Sequence, residues 1–285
     1  MSNPLLSAPI QQFITYTIQE DIGEGDHTSL SCIPPEAEGE ARLLVKAKGV
    51  LAGVDLAEHL FHKMDPELVF TAAIPDGSAV EPGQEAFRVA GSARSILMAE
   101  RLVLNFMQRM SGIATLTHRF VEALEGTSTR ILDTRKTTPG LRFFEKWAVR
   151  IGGGTNHRMG LYDMIMVKDN HIDFAGGIEA AICRVRNYLI EHQLDLKIEV
   201  ETRNLEELEE VLRVGGADVV MLDNYSYADT ETAVALIDGT VETESSGNIT
   251  LDTAPRYAAC GVDFISSGAL THSVKSLDLS LKADF

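Results

Sequence analysis

From residue 130 onward, short apolar runs alternate with stretches that have the periodicity of amphipathic helices. Helical spacing of apolar positions fills the intervals at residues 178–190, 205–212, 228–237 and 250–257. Strands that alternate with helices at this pitch predict a parallel α/β architecture. The centres of the predicted strands are Ile131, Ile165, Ile198, Val220, Thr243 and Phe264.

The apolar runs of this region end directly in charged residues. Ile131 and Leu132 are followed by Asp133, and residues 164–167 are followed by Lys168. Buried strands that end in reactive polar groups are typical of the C-terminal mouth of an α/β barrel. Six strands are fewer than a full eightfold barrel needs, so their number leaves an open doubly wound sheet as the competing fold.

The first third of the chain has a different pattern. Residues 9–23 have the spacing of an amphipathic helix, and the polar segment 20–29 is expected to be a loop in which Asp26 and His27 form a capped turn rather than a catalytic pair. Short runs at 41–45, 69–72 and 85–89 predict strands around a helix at 54–64. This pattern predicts a small α+β domain with an antiparallel sheet.

A long helix beginning near Ser92 separates the two patterns. Gly112 is expected to end this helix, with a second one over residues 113–124. We therefore predict an N-terminal α+β sandwich domain at 1–112, an incomplete parallel α/β barrel at 113–272, and a tail at 273–285 that packs back on the N-terminal domain. The long helix is apolar on more than one side of Arg101, which indicates a subunit contact.

Charge narrows the choice of ligand. The chain has 25 basic and 42 acidic residues, a net charge of −17, yet residues 130–171 contain eight basic and four acidic residues, a net charge of +4. The remaining residues therefore carry −21. One basic segment in an acidic protein predicts a small, strongly anionic ligand rather than nucleic acid or a membrane surface.

Location and redox state follow from what the sequence lacks. No apolar run approaches the ~18–20 residues of a membrane span, and no basic-then-apolar signal peptide is recognised at the N-terminus. Three widely separated cysteines, Cys32, Cys183 and Cys260, are expected to be reduced thiols. These features predict a cytoplasmic protein.

In a barrel, the predicted strand ends would meet at one mouth. The first and second strand ends supply cations, and the third, fourth and fifth supply carboxylates. The fifth and sixth ends also supply hydroxyl groups and glycines. This division suits a phosphosugar, with cations for anionic groups, carboxylates for ribose hydroxyls and Mg²⁺, and exposed backbone N–H groups for a phosphate. The strand-end residues are Thr134, Arg135, Lys136, Lys168, Glu199, Glu201, Asp223, Glu244, Ser245, Ser246, Gly247, Ser266, Ser267 and Gly268.

Seven ordered motifs carry a resemblance that covers nearly the whole chain. They are DTRKTTPGLR, GGGTNHRMGL, MVKDNH, EVET, MLDN, ESSGN and GALTHS. In this order and spacing they resemble the quinolinate phosphoribosyltransferase family. The resemblance implies an N-terminal α/β sandwich, a TIM-like barrel of fewer than eight strands, and phosphoribosyl transfer to quinolinate with decarboxylation, in a homodimer or higher oligomer with shared sites.

The resemblance also implies roles for individual residues. Arg135, His157 and Arg158 would hold the two carboxylates of quinolinate, and Lys136 and Lys168 would meet carboxylates and pyrophosphate. The remaining roles concern the ribose, the phosphate and the subunit contact. Glu201 and Asp223 would bind the ribose directly or through Mg²⁺. Arg101 would reach into the neighbouring subunit's site. A phosphate would be surrounded by Ser246, Gly247, Ser267, Gly268 and His272.

Two other classes of function fit part of the pattern. Lys168 at a barrel strand end could be the amine nucleophile of a Schiff-base lyase or aldolase, although such an enzyme has no need of the neighbouring arginines. A non-catalytic barrel that binds phosphosugars or oxyanions is the second alternative.

Overall fold

The computed structural model describes residues 4–284. The chain divides into two compact units. The first comprises the described residues up to Leu116, together with Pro139–Gly153 and those from Val274 onward; the second comprises Thr117–Thr138 and Gly154–Ser273. The predicted domain boundaries at 112 and 272 stay predictions. Within residues 4–284, no helix combines the length and apolarity needed to cross a bilayer.

Helices and strands alternate along most of the chain. Up to the long helix α4 the elements are α1 (Ala8–Ile22), α2 (His27–Cys32), β1 (Glu38–Val45), β2 (Gly49–Val50), α3 (Val54–Met64), β3 (Val69–Ala72), β4 (Ala79–Val80), β5 (Glu85–Ser92) and α4 (Ala93–Ala123). After it follow β6 (Arg130–Leu132), α5 (Arg142–Ile151), β7 (Ile165–Val167), α6 (Asp169–Ala175), α7 (Ile178–Glu191), β8 (Ile198–Thr202), α8 (Leu205–Val214), β9 (Val219–Asp223), α9 (Tyr227–Ile237), β10 (Glu242–Ser246), α10 (Ala254–Ala259), β11 (Phe264–Ser266), α11 (Ala269–His272) and β12 (Leu279–Asp284).

The first unit is built on a four-stranded antiparallel sheet in the order β12-β1-β5-β3. In β1, the buried residues Ala41, Leu43 and Val45 alternate with more exposed ones, the pattern of a sheet with one face in the core. The chain terminus contributes the edge strand β12, in which Leu281 pairs with Leu43.

Helix α4 is a single helix of 31 residues, so the expectation that Gly112 would end it was wrong. The reason is a tertiary contact. A methyl group added at Gly112 would lie 2.4 Å from the carbonyl oxygen of Lys275. Glycine here lets the C-terminal tail approach the helix closely, and this packing outweighs the ~1 kcal/mol that a glycine costs in a helix interior.

The polar segment 20–29 is only partly a loop. Helix α1 continues to Ile22, and α2 begins at His27. Asp26 caps α2 by accepting hydrogen bonds from the backbone N–H groups of Thr28 (3.1 Å) and Ser29 (3.0 Å). The carboxylate of Asp26 thus satisfies backbone donors at a helix start, as N-cap residues do.

The second unit contains the six predicted parallel strands, in the order β6-β11-β10-β9-β8-β7. From β7 to β11, strands that follow one another in sequence are neighbours in the sheet, without the reversal in the middle of the sheet that defines a doubly wound fold. β6 and β7 are the two edges. The parallel sheet therefore has barrel order with fewer than eight strands.

Candidate active site

A cavity of about 750 Å³ lies at the carboxyl ends of the six parallel strands. The edge strands of the sheet, β6 and β7, both supply its walls: Thr134 follows β6, and Met166 lies in β7. A flat sheet would keep its two edge strands far apart, so the shared cavity shows that the sheet curves into an incomplete barrel.

Six basic side chains line this cavity. Buried Asp133 fixes part of their arrangement by accepting hydrogen bonds from the backbone N–H of His157 (2.9 Å) and from the Asn156 amide. The Asp133 carboxylate thereby links the loop before β7 to the end of β6 by hydrogen bonds. The basic residues are Arg135, Lys136, His157, Arg158, Lys168 and His272.

The predicted carboxylates come from β8 and β9. Glu201 forms an ion pair with Lys168 Nζ, and Asp223 accepts a hydrogen bond from the Asn224 amide at 2.8 Å. Both carboxylates line the cavity. They are oxygen donors of the kind that Mg²⁺ prefers, and two suffice when phosphate oxygens and water complete the shell.

Small residues close the cavity at β10 and β11. Gly247 has a φ of 94°, and a methyl group on it would lie 2.3 Å from Asn224 Oδ1. At Gly268, an added methyl group would lie 2.8 Å from Lys136 Cδ. Gly247 therefore needs glycine, because its φ is positive and the Asn224 backbone is close, whereas at Gly268 an added methyl group would meet only the side chains of Lys136 and His272. Ser246, Ser266 and Ser267 line the same part of the cavity, where Ser266 Oγ donates to Ser246 Oγ at 3.1 Å and Ser267 Oγ donates to a backbone carbonyl.

Below the cationic side of the cavity, His157 contacts two buried glutamates. Its Nε2 lies 3.1 Å from Glu199 Oε2 and 3.3 Å from Glu244 Oε2. Burial opposes the charged form of His157, but the two carboxylates outweigh it and raise the pKa of His157 to about 10. Burial and the charge of Glu244 raise the pKa of Glu199. Each shift favours the protonated form of its group.

The arginines carry a separate electrostatic feature. Burial and the neighbouring charge of Arg135 lower the pKa of Arg158. An arginine remains protonated at neutral pH despite such a shift. Two close guanidinium groups therefore make this side of the cavity strongly attractive to an anion with more than one negative charge.

Two predicted site residues lie outside the cavity. Ser245 is 1% exposed on β10, with its side chain on the other face of the strand from Glu244 and Ser246. Arg101 belongs to the first unit, where it is exposed on α4.

Conversely, Glu244 and Asn224 also line the cavity. Glu244 was predicted as a strand-end residue but received no individual role, and Asn224 was not among the predicted site residues. Strand alternation places Glu244 on the same face as Ser246, so the signal for Glu244 was present in the sequence.

The fold and the cavity together define a barrel protein suited to a phosphorylated, carboxylated ligand. The quinolinate phosphoribosyltransferase C-terminal domain model matches residues 113–282, and the N-terminal domain model matches residues 26–111. The chain therefore belongs to the quinolinate phosphoribosyltransferase family.

Individual relatives match along nearly their whole lengths. A quinolinate phosphoribosyltransferase [decarboxylating] from Nicotiana tabacum is 50% identical over 95% of this chain and 81% of its own. A probable nicotinate-nucleotide pyrophosphorylase [carboxylating] from Bacillus subtilis is 42% identical over 95% of this chain and 92% of its own. The crystal structure of NadC from Streptococcus pyogenes superposes with a TM-score of 0.92 at 40% identity, covering 99% of this chain and 98% of that one.

Proposed function

We propose that this chain transfers the phosphoribosyl group of phosphoribosyl pyrophosphate to quinolinate and releases pyrophosphate and CO₂. The product is nicotinate mononucleotide, an intermediate of de novo NAD biosynthesis. The observation that carries the proposal is the division of the cavity into a cationic side, a carboxylate side and a serine-glycine side. The names of the relatives support the same reaction.

The residue types fit the chemistry of the transfer. The quinolinate nitrogen displaces pyrophosphate at ribose C1, so the protein needs no strong nucleophile. It must hold two polyanions side by side and neutralise the leaving pyrophosphate, so orientation and electrostatics supply most of the acceleration. In this proposal Arg135 and Arg158 bind the quinolinate end, while Lys136 and Lys168 meet the carboxylates and pyrophosphate. His157 lines the quinolinate end, but its ring nitrogens face the Arg158 N–H and the two glutamates.

The ribose and its phosphate would occupy the other two sides. Glu201 and Asp223 would hold the ribose hydroxyls and the oxygen shell of Mg²⁺, which when bound neutralises the charge of the leaving pyrophosphate. The five groups around the ribose phosphate would be Ser246, Gly247, Ser267, Gly268 and His272. The Ser267 hydroxyl already donates to the carbonyl of Ile249, so its backbone is the better candidate for phosphate contact.

Arg101 leads us to propose a homodimer. It is exposed on α4, and among residues 4–284 it makes no hydrogen bond or ion pair, so no internal salt bridge accounts for this arginine. An arginine from one subunit would then complete the site of the other.

A mixing experiment tests this contact. When inactive Arg101→Ala and Lys168→Ala chains are mixed and exchange subunits, half the dimers contain one intact site, so about a quarter of the wild-type activity should return. Activity at the level of the single variants would contradict the contact.

One assay tests the main proposal. Purified protein with Mg²⁺, phosphoribosyl pyrophosphate and quinolinate should release pyrophosphate and CO₂ in equal amounts. Absence of both products would favour a non-catalytic barrel. Borohydride trapping of an adduct on Lys168 would favour the Schiff-base alternative, which lacks support because Lys168 Nζ is engaged by Glu201.

Location is a separate part of the proposal. We keep the cytoplasm as the predicted compartment. The relative from Arabidopsis thaliana is named chloroplastic and one from Nicotiana glauca is named mitochondrial, so fractionation of the source cells is the measurement that decides.

A further inference from the structure

The interior of the parallel barrel contains acids where such barrels usually contain branched apolar side chains. Glu199 is 0% exposed and Glu244 is 1% exposed, and both face the same imidazole. Buried carboxylates are costly unless donors surround them. A buried acid pair beside a substrate cavity therefore needs a functional explanation.

Counting donors shows that the cluster of His157, Glu199 and Glu244 has room for an additional proton. The Nδ1 side of the His157 ring faces the backbone N–H of Arg158, 2.7 Å away, so Nε2–H is the one ring N–H that faces the two glutamates. That single N–H faces two carboxylates. Glu244 Oε1 is buried and has no hydrogen-bond partner within residues 4–284. A proton on the acid pair would relieve both the repulsion and the missing donor.

Glu244 also has access to two cavities. Together with His157 and Arg158 it lines the substrate cavity and a second cavity of about 380 Å³. The second cavity is bordered by residues at the amino ends of the strands, including Arg130 and Phe264. A polar cavity of this size can hold several water molecules. Glu244 therefore lies between the substrate and a place from which water could return a proton.

We propose that Glu244 is the acid that protonates the pyridine ring after decarboxylation, an inference that rests on the proposed function. When the bond between ring carbon C2 and its carboxylate breaks, CO₂ leaves and the electron pair stays on C2. That pair takes the proton of the Glu244 carboxyl group, forming the C2–H bond and leaving the Glu244 carboxylate. Water in the second cavity then restores the proton, with His157 Nε2 holding the carboxylate in place.

The other acids of the substrate cavity are less suited to this step. Glu201 is paired with Lys168, and Asp223 accepts from the Asn224 amide. The ammonium group of Lys136 is the principal rival. It makes no ion pair within the described residues, so the experiment must separate it from Glu244.

The test is a single-turnover measurement on Glu244→Gln with quinolinate labelled in the 2-carboxylate, following pyrophosphate and CO₂ in the same samples. The amide removes the acid but keeps the shape and, like the protonated carboxyl group, carries no charge, so we expect the variant to fold. CO₂ can recombine with the electron pair on C2 until that carbon is protonated, so loss of the acid slows net CO₂ release. Pyrophosphate should form at close to the wild-type rate, while CO₂ should appear more slowly by on the order of 10²-fold, the lower range for loss of a general acid.

Two further variants make the result decisive. Glu242 lies two residues earlier on the same strand, is ion-paired with Lys197, and lines the second cavity but not the substrate cavity. A single turnover does not need the returned proton, so Glu242→Gln should release both products at wild-type rates. Glu244→Asp keeps an acid but retracts it, so it should slow CO₂ less than Glu244→Gln does, and it supplies the same comparison if the glutamine variant does not fold.

Equal slowing of pyrophosphate and CO₂ in the Glu244 variants would overturn the proposal, because it would mean that Glu244 only positions His157 and Arg158. Unchanged CO₂ release would also overturn it and would favour Lys136. If wild-type protein forms neither product, the proposed function fails instead, so the two failures are distinguishable.

Discussion

The sheets of the two units bury different kinds of residue. In the first unit the sheet covers apolar side chains, with Leu43, Phe61 and Phe87 fully buried. In the second unit, β8 is buried at all five positions, yet two of them are Glu199 and Glu201. Apolar burial stabilises a fold, whereas buried charge opposes it unless it is paired. The second unit thus retains costly groups where substrates would bind.

The largest expected effect tests the apolar side of this contrast. Phe61 is fully buried and packs edge-on against Phe87, with ring centroids 5.9 Å apart. Phe61→Ala should lower the free energy of unfolding by about 3–5 kcal/mol, the usual loss for a core phenylalanine. Phe174, which is 92% exposed, supplies the matched control, and Phe174→Ala should change stability by less than about 0.5 kcal/mol. Denaturant unfolding measures the free energy of unfolding of both variants. An equal decrease in the two would show that the difference in burial does not affect stability.

The next effect tests the charged side. Lys136→Ala should lower kcat/KM by on the order of 10²–10³-fold, because the ammonium group is expected to stabilise charge that develops on the leaving group. The melting temperature should stay close to that of wild type, since Lys136 makes no ion pair within the described residues. Lys48→Ala, at an exposed pair with Glu81, is the control for loss of a lysine. A Lys136 variant with a lowered melting temperature that keeps its turnover when folded would show that Lys136 has a structural role instead.

The smallest expected change in stability concerns Asp76, a partly buried acid in the first unit that is not among the predicted site residues. Burial, with a smaller contribution from the charge of Asp55, raises the pKa of Asp76 from 3.8 to about 6, although Asp76 accepts a hydrogen bond from the Val54 N–H. The folded state therefore binds this proton more tightly than the unfolded state, and its contribution to stability is lost as pH rises from about 4 to about 6.

Asp76→Asn keeps an acceptor for Val54 but removes the titration. Relative to wild type, the variant should gain about 1–2 kcal/mol between pH 4 and pH 7, an amount reduced by the partial exposure of the site. Unfolding curves at several pH values measure the difference. A difference that does not vary with pH would show that Asp76 titrates normally.

Local patterns predicted most of the fold because five of the six parallel strands have an apolar run and the helices between strands have their own periodicity. The strand β10 contains only polar residues, and the regular spacing of the repeat predicted it. Gly112 could not be interpreted locally, since its role is the close approach of Lys275, which lies 163 positions later in the numbering. The edge position of β12 likewise depends on a partner at the other end of the chain.

The site divides in the same way. The cationic and carboxylate residues at strand ends follow from sequence, because parallel strands bring their carboxyl ends together. The contact between His157 and Glu244 does not, since it joins a loop to a strand with no pattern that links them. The role of Arg101 in a neighbouring subunit stays a prediction.

The central claim is that the cationic side of the cavity is built for two carboxylates, and the choice between quinolinate and nicotinate tests it most directly. Nicotinate has one carboxylate fewer, and leaving Arg135 or Arg158 without its partner should cost about 2–5 kcal/mol. With phosphoribosyl pyrophosphate saturating, kcat/KM for pyrophosphate release should therefore favour quinolinate by about 30-fold to 4,000-fold. Equal values of kcat/KM for the two acids would contradict the account.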